Sequence, residues 1–103
     1  NDSTSSAAED IVSQPNKFYL QQNYPNPFNP STKISFAVPN RTNVSIKLFN
    51  ALGELITELI NKNYDAGHYE VIFNASSGLS SGVYFYRMEA GEFVQTNKMI
   101  LIR

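Results

Sequence analysis

The chain has 103 residues, eight basic against nine acidic groups and a formal net charge of −1, which makes it one domain by length with no charge excess to attract a polyanion. Its basic residues (Lys17, Lys33, Arg41, Lys47, Lys62, Arg87, Lys98, Arg103) are scattered, which argues against a nucleic-acid footprint and against a polybasic membrane patch. There is no cysteine, so disulfides, thiolate zinc sites and thiol nucleophiles are excluded, and the longest apolar run, Met99 to Ile102, falls far short of the ~20 residues of a spanning helix.

In chain order, Asn1 to Lys17 comes first and is Ser-, Ala- and acid-rich, with Ile11 and Val12 as its large apolar groups. It cannot bury enough surface to offset its ordering entropy, so residues 1–17 read as a linker, with at most a weak helical turn over Ala7 to Val12. No apolar signal core is visible in Asn1 to Asp10. The composition changes abruptly at Phe18. That break suggests a C-terminal module spanning 18–103 cut from a longer parent, with the tether left attached.

Phe18 to Gln22 is a first short strand. Asn23 to Thr32 then reads N-Y-P-N-P-F-N-P-S-T. Pro25, Pro27 and Pro30 fix φ at three points and bias the residues before them towards extended geometry, so neither a helix nor a central strand fits. Tyr24 and Phe28 are large apolar groups that a spacer has no use for. The stretch is expected to be an ordered loop whose two rings plug into a core, with Asn23, Asn26 and Asn29 bonding nearby backbone in Asx-type turns.

The remainder reads as strands between turns. Lys33 to Val38 alternates, with Ile34, Phe36 and Val38 on one face. Asn43 to Asn50 alternates through Val44, Ile46 and Leu48. Glu54 to Lys62 spaces its apolar pairs by four, a helical period, but it is nine residues long between strands and is assigned as a strand. Gly67 is the expected positive-φ position of the loop over Asn63 to Gly67. His68 to Asn74 alternates through Tyr69, Val71 and Phe73. Gly82 to Ala90 places Tyr84, Tyr86 and Met88 on one side, Gly91 and Glu92 make a hairpin, and Phe93 to Ile102 closes the chain. About seven short strands without a long helix predict an all-β, antiparallel β-sandwich.

Residues able to do chemistry are sparse. His68 is the single histidine and is expected at a strand edge facing solvent. A Ser76 or Ser80, His68 and Asp65 set can be written down, but loop serines make such a match uninformative. Asp2, Asp10 and Asp65 are too dispersed for a calcium loop. The tyrosines could form a sugar-stacking platform, although core packing is the commoner role on strands. No catalytic residue, metal or cofactor is assigned.

Three segments together resemble a known family. Asn23 to Thr32, Leu79 to Arg87 (L-S-S-G-V-Y-F-Y-R, with a Gly-x-Tyr motif) and Lys98 to Arg103 (K-M-I-L-I-R) are similar to the opening, second and terminal signatures of type A C-terminal sorting domains of the type IX secretion system. The resemblance covers Phe18 to Arg103. Glu54 and Asn74 depart from the residues most frequent there and lie outside the signatures. The resemblance implies an immunoglobulin-like address label, not a catalyst. Its partners would be an outer-membrane translocon, a sortase-like processing peptidase cutting upstream, and the cargo in the same chain. The implied route runs through the periplasm to the cell surface or beyond. The recognition residues it implies are Asn23, Tyr24, Pro25, Asn26, Pro27, Phe28, Asn29, Pro30, Gly82, Tyr84, Lys98 and Arg103. The terminal strand is then either the last strand of a sheet or an edge open to strand addition. A rival expectation is an accessory or carbohydrate-binding sandwich of a secreted hydrolase.

Overall fold

In a computed structural model, residues 15–75 and 78–103 are described. The linker expected over residues 1–17 therefore lies outside the described residues except for its last three. Seven strands follow: β1 (Tyr19–Leu20), β2 (Ser31–Val38), β3 (Thr42–Asn50), β4 (Leu55–Tyr64), β5 (Gly67–Asn74), β6 (Gly82–Ala90) and β7 (Phe93–Leu101). They form a three-stranded sheet in the order β1-β2-β5 and a four-stranded sheet in the order β4-β3-β6-β7, with every ladder antiparallel. This is the antiparallel sandwich that the strand spacing predicts, with the immunoglobulin-like architecture that the resemblance implies. The chain changes sheets after β2, β4 and β5.

Period-two patterning explains the packing. Ile34, Phe36 and Val38 of β2 meet Val44, Ile46 and Leu48 of β3 and Tyr84, Tyr86 and Met88 of β6 in one buried cluster. On the open side of the sandwich, Tyr64 and Tyr69 stand edge-to-face at 4.6 Å, and both pack on Phe36 at 5.3 and 5.6 Å. Gly67 has φ 159°, positive as expected, and a Cβ there would sit 3.3 Å from the Tyr69 hydroxyl. Gly91, at φ 59°, makes the two-residue turn that brings Ala90 opposite Phe93.

β4 accounts for the helical spacing that made Glu54 to Lys62 ambiguous. Its register against β3 slips twice, between Ile46 and Lys47 and between Leu48 and Phe49. Each bulge inserts one extra residue and reverses the alternation. Ile56, Leu59 and Ile60 thereby all reach the core from one strand. The bulges also twist an edge strand away from unwanted pairing.

Candidate functional site

The three segments singled out by sequence meet at Leu101. On one side Leu101 pairs with Gly82 of β6, and on the other it forms a parallel bridge with Phe28 of the proline loop. The Phe28 N–H donates to Ile100 O at 2.9 Å, and the Ile102 N–H donates to Phe28 O at 3.0 Å. The Asn26 side chain extends the same seam by accepting from the Ile100 N–H at 2.9 Å, and Gln22 Nε2 donates to Lys98 O at 2.6 Å. The loop and its lead-in thus occupy the outer edge of β7 between Lys98 and Ile102. Of the two expectations for the terminal strand, that of the last strand of a sheet holds, and that of an edge open to strand addition does not, because the backbone groups from Lys98 to Ile102 are already bonded.

Phe28 behaves as predicted. Its ring is 2% exposed and stands edge-on to Phe73 at 6.0 Å. Tyr24 does not, being 77% exposed. It bridges Lys33 of β2 through reciprocal N–H···O bonds of 2.9 Å. Lys33 faces outward, and a residue paired opposite it shares that face, so the Tyr24 ring is carried onto the outside of the three-stranded sheet. Pro25, Asn26, Pro27, Asn29 and Pro30 are exposed as well, and the three X-Pro bonds are cis.

The expectation of local Asx-type turns holds only in part: Asn23 bonds backbone two residues on, but as a donor, and Asn26 bonds a distant strand. Asn23 is 2% exposed and acts chiefly as a donor. Its Nδ2 donates to Thr32 Oγ1 at 3.0 Å and to Pro25 O at 3.1 Å, while its N–H donates to the Tyr86 hydroxyl at 2.8 Å. Asn26 bonds across to β7 instead of locally. A true Asx turn occurs at Asn50, whose Oδ1 accepts from the Leu52 and Glu54 N–H groups, both at 2.9 Å.

Tyr86 is the hub that pattern reading missed. Its hydroxyl donates to Gln21 O at 2.7 Å and accepts from Asn23 N–H and, at 3.2 Å, Asn97 Nδ2, which fills its bonding capacity. Burial pushes this phenol above its ordinary pKa, and the bonds from Asn97 and Asn23 partly oppose that. Gln95 Nε2 donates to Leu20 O at 2.9 Å, so amides from β7 lace it to β1. A sequence signal existed: Gln95 and Asn97 fall on the inward phase of β7 with Met99 and Leu101, where polar groups require partners.

Of the other expected site residues, Tyr84 is buried and donates its hydroxyl to Ser80 O at 2.7 Å, and Gly82 opens β6. Lys98 is exposed. The Arg103 N–H donates to Ser81 Oγ at 2.8 Å and its guanidinium to Leu79 O at 3.0 Å, pinning the terminus beside the Gly-x-Tyr segment. His68 bonds through Nδ1 to the Tyr19 hydroxyl at 2.8 Å above Ala37, while Asp65 pairs with Arg41 at 2.6 Å. The written-down triad is not assembled at His68 or Asp65; Ser76 lies outside the described residues.

A family model described as the secretion system C-terminal sorting domain matches residues 22–103, all three segments included. The chain belongs to this family. Comparisons with curated proteins and with solved structures return no match. The sorting domain is a C-terminal signal for type IX secretion and not a catalytic domain, and it implies interaction with the type IX machinery and export to the cell surface or the extracellular space. The rival reading as an accessory or carbohydrate-binding module finds no support in the match. No helix among the described residues is long and apolar enough to cross a membrane.

Proposed function

We propose that this sorting domain brings an upstream cargo from the periplasm to the outer-membrane translocon by presenting one rigid composite surface, and that a sortase-like peptidase then cuts in or just before residues 1–17. The convergence of the proline loop, the start of β6 and the end of β7 on Leu101 carries this reading. A receptor that binds a preorganised surface meets little ordering cost. Within that surface the residues divide by burial. Asn23, Phe28 and Tyr84 hold the pieces in register, while Tyr24, Pro25, Lys98 and Arg103 offer groups to a partner.

A reporter with a periplasmic leader fused ahead of residues 18–103, expressed in a bacterium with type IX machinery, tests the proposal. Fractionation should find the fusion at the surface or in the medium, and the same reporter without residues 18–103 in the periplasm. Equal export of the two reporters would overturn it.

A further inference from the structure

The outward phase of β6 and β7 carries Val83, Phe85 and Ile100, apolar groups outside the composite surface described above. Across the four-stranded sheet the register aligns Leu55, Phe49, Phe85 and Lys98 in one row. Val83 and Ile100 pair beside it, and Leu52 projects from the β3–β4 turn next to Val83, where a hollow of about 250 Å³ opens. Among the described residues seven large apolar side chains are exposed, and four of them, Leu52, Leu55, Val83 and Ile102, lie at this end of this sheet. Concentrated exposure of this kind marks a contact surface, whereas single scattered residues do not.

Charge borders the patch. The next row reads Glu58, Lys47, Arg87 and Thr96. Arg87 lies over the Phe49 ring at 4.6 Å, and its Nε stands 2.9 Å from a Glu89 oxygen without hydrogen-bond alignment. Lys47 and Lys98, by contrast, have no carboxylate within ion-pair distance among the described residues. An apolar centre with two ammonium groups outside any ion pair of the described residues is complementary to a protein surface of apolar side chains edged with carboxylates.

We infer that the outer face of the four-stranded sheet, centred on Val83, Phe85 and Leu55, docks a protein component of the export machinery whose contact surface is apolar with an acidic border. The inference rests on the sorting reading above and adds to it a partner chemistry and residues outside the loop. The mixed charges of the face suit a folded protein better than an anionic lipid surface, which favours clustered basic groups.

Photo-crosslinking in secreting cells tests the inference, with a photoreactive phenylalanine placed at Val83 or, as a control on the other sheet, at Glu70 of the full cargo-bearing chain. Position 83 should capture an outer-membrane protein, and position 70 should not. Lys47→Glu and Leu55→Glu should each lower that crosslink and the exported fraction about tenfold, as losing one decade of affinity requires, with unchanged melting of the isolated domain. Crosslinks only to lipid, to the cargo or to a second copy of the chain, equal capture from position 70, or normal export of both variants would overturn it. Removal of residues 18–103 separates the two ideas. If removal stops export while Lys47→Glu and Leu55→Glu do not, the docking face alone fails; if removal leaves export intact, the sorting reading fails with it.

Discussion

Phe28 and Leu101 are parallel β-partners, although one sits in a loop with three prolines and the other ends the last strand. A single residue of the loop supplies both an acceptor and a donor to the strand edge while its ring fills the core. Phe28→Ala should therefore remove about 3–5 kcal/mol, the range for a fully enclosed aromatic, read as a fall in melting temperature or denaturant midpoint. Phe28→Leu should recover most of it.

Tyr24 makes the opposite prediction from the same decapeptide. With its ring in solvent, Tyr24→Ala should change stability by no more than ~0.5 kcal/mol. Any loss of export from this variant then reports recognition, and melting curves beside cell fractionation separate the two effects.

The seam itself can be probed at Asn26. Asn26→Ala leaves the Ile100 N–H without its acceptor and should cost about 1 kcal/mol. Amide hydrogen exchange is the sharper measurement. Protection should fall at Ile100 and Ile102 and remain at β6-facing amides of β7.

Tyr86 gives the fold an alkaline limit. Its pKa is raised in the folded state by burial, so the folded chain keeps a proton that the unfolded chain releases. The associated stability is complete below the unfolded tyrosine value of about 10 and is lost as pH rises through the higher folded value. Tyr64, raised by burial and then by the neighbouring Tyr69, acts in the same direction. Denaturant midpoints measured from neutral pH upward should fall beyond that point, and less steeply in Tyr86→Phe. At neutral pH that variant should lose roughly 1–3 kcal/mol, because Gln21 O and the Asn23 N–H lose a buried partner.

Lys98 separates folding from export. Its side chain is exposed and has no ion-pair partner among the described residues, so Lys98→Ala should change stability by less than ~0.5 kcal/mol. Under the proposed function the cargo fusion should nonetheless accumulate in the periplasm. Normal export of this variant would return the terminal segment to a purely structural role.

Much of this was legible in advance because period-two alternation in β2, β3, β5 and β6 states which side chains face the core. What stayed hidden depended on pairing. Tyr24 and Phe28 look alike in sequence, and only their partners, an outward Lys33 and the edge at Leu101, send one ring out and the other in. The spacing of four in β4 looked helical because two bulges, themselves fixed by pairing with β3, reset its alternation. Asn26 was assigned to a local turn because its true partner, the Ile100 N–H, lies at the far end of the chain.

That distance gives the Phe28–Leu101 bridge one more consequence. The loop is made well before its docking edge on β7, so the surface they share is missing from any chain that stops short of Leu101. It exists only once β7 is in place and both sheets have closed around Tyr86. Under the proposed function the address lies in the tertiary structure, and a chain without β7 does not carry it.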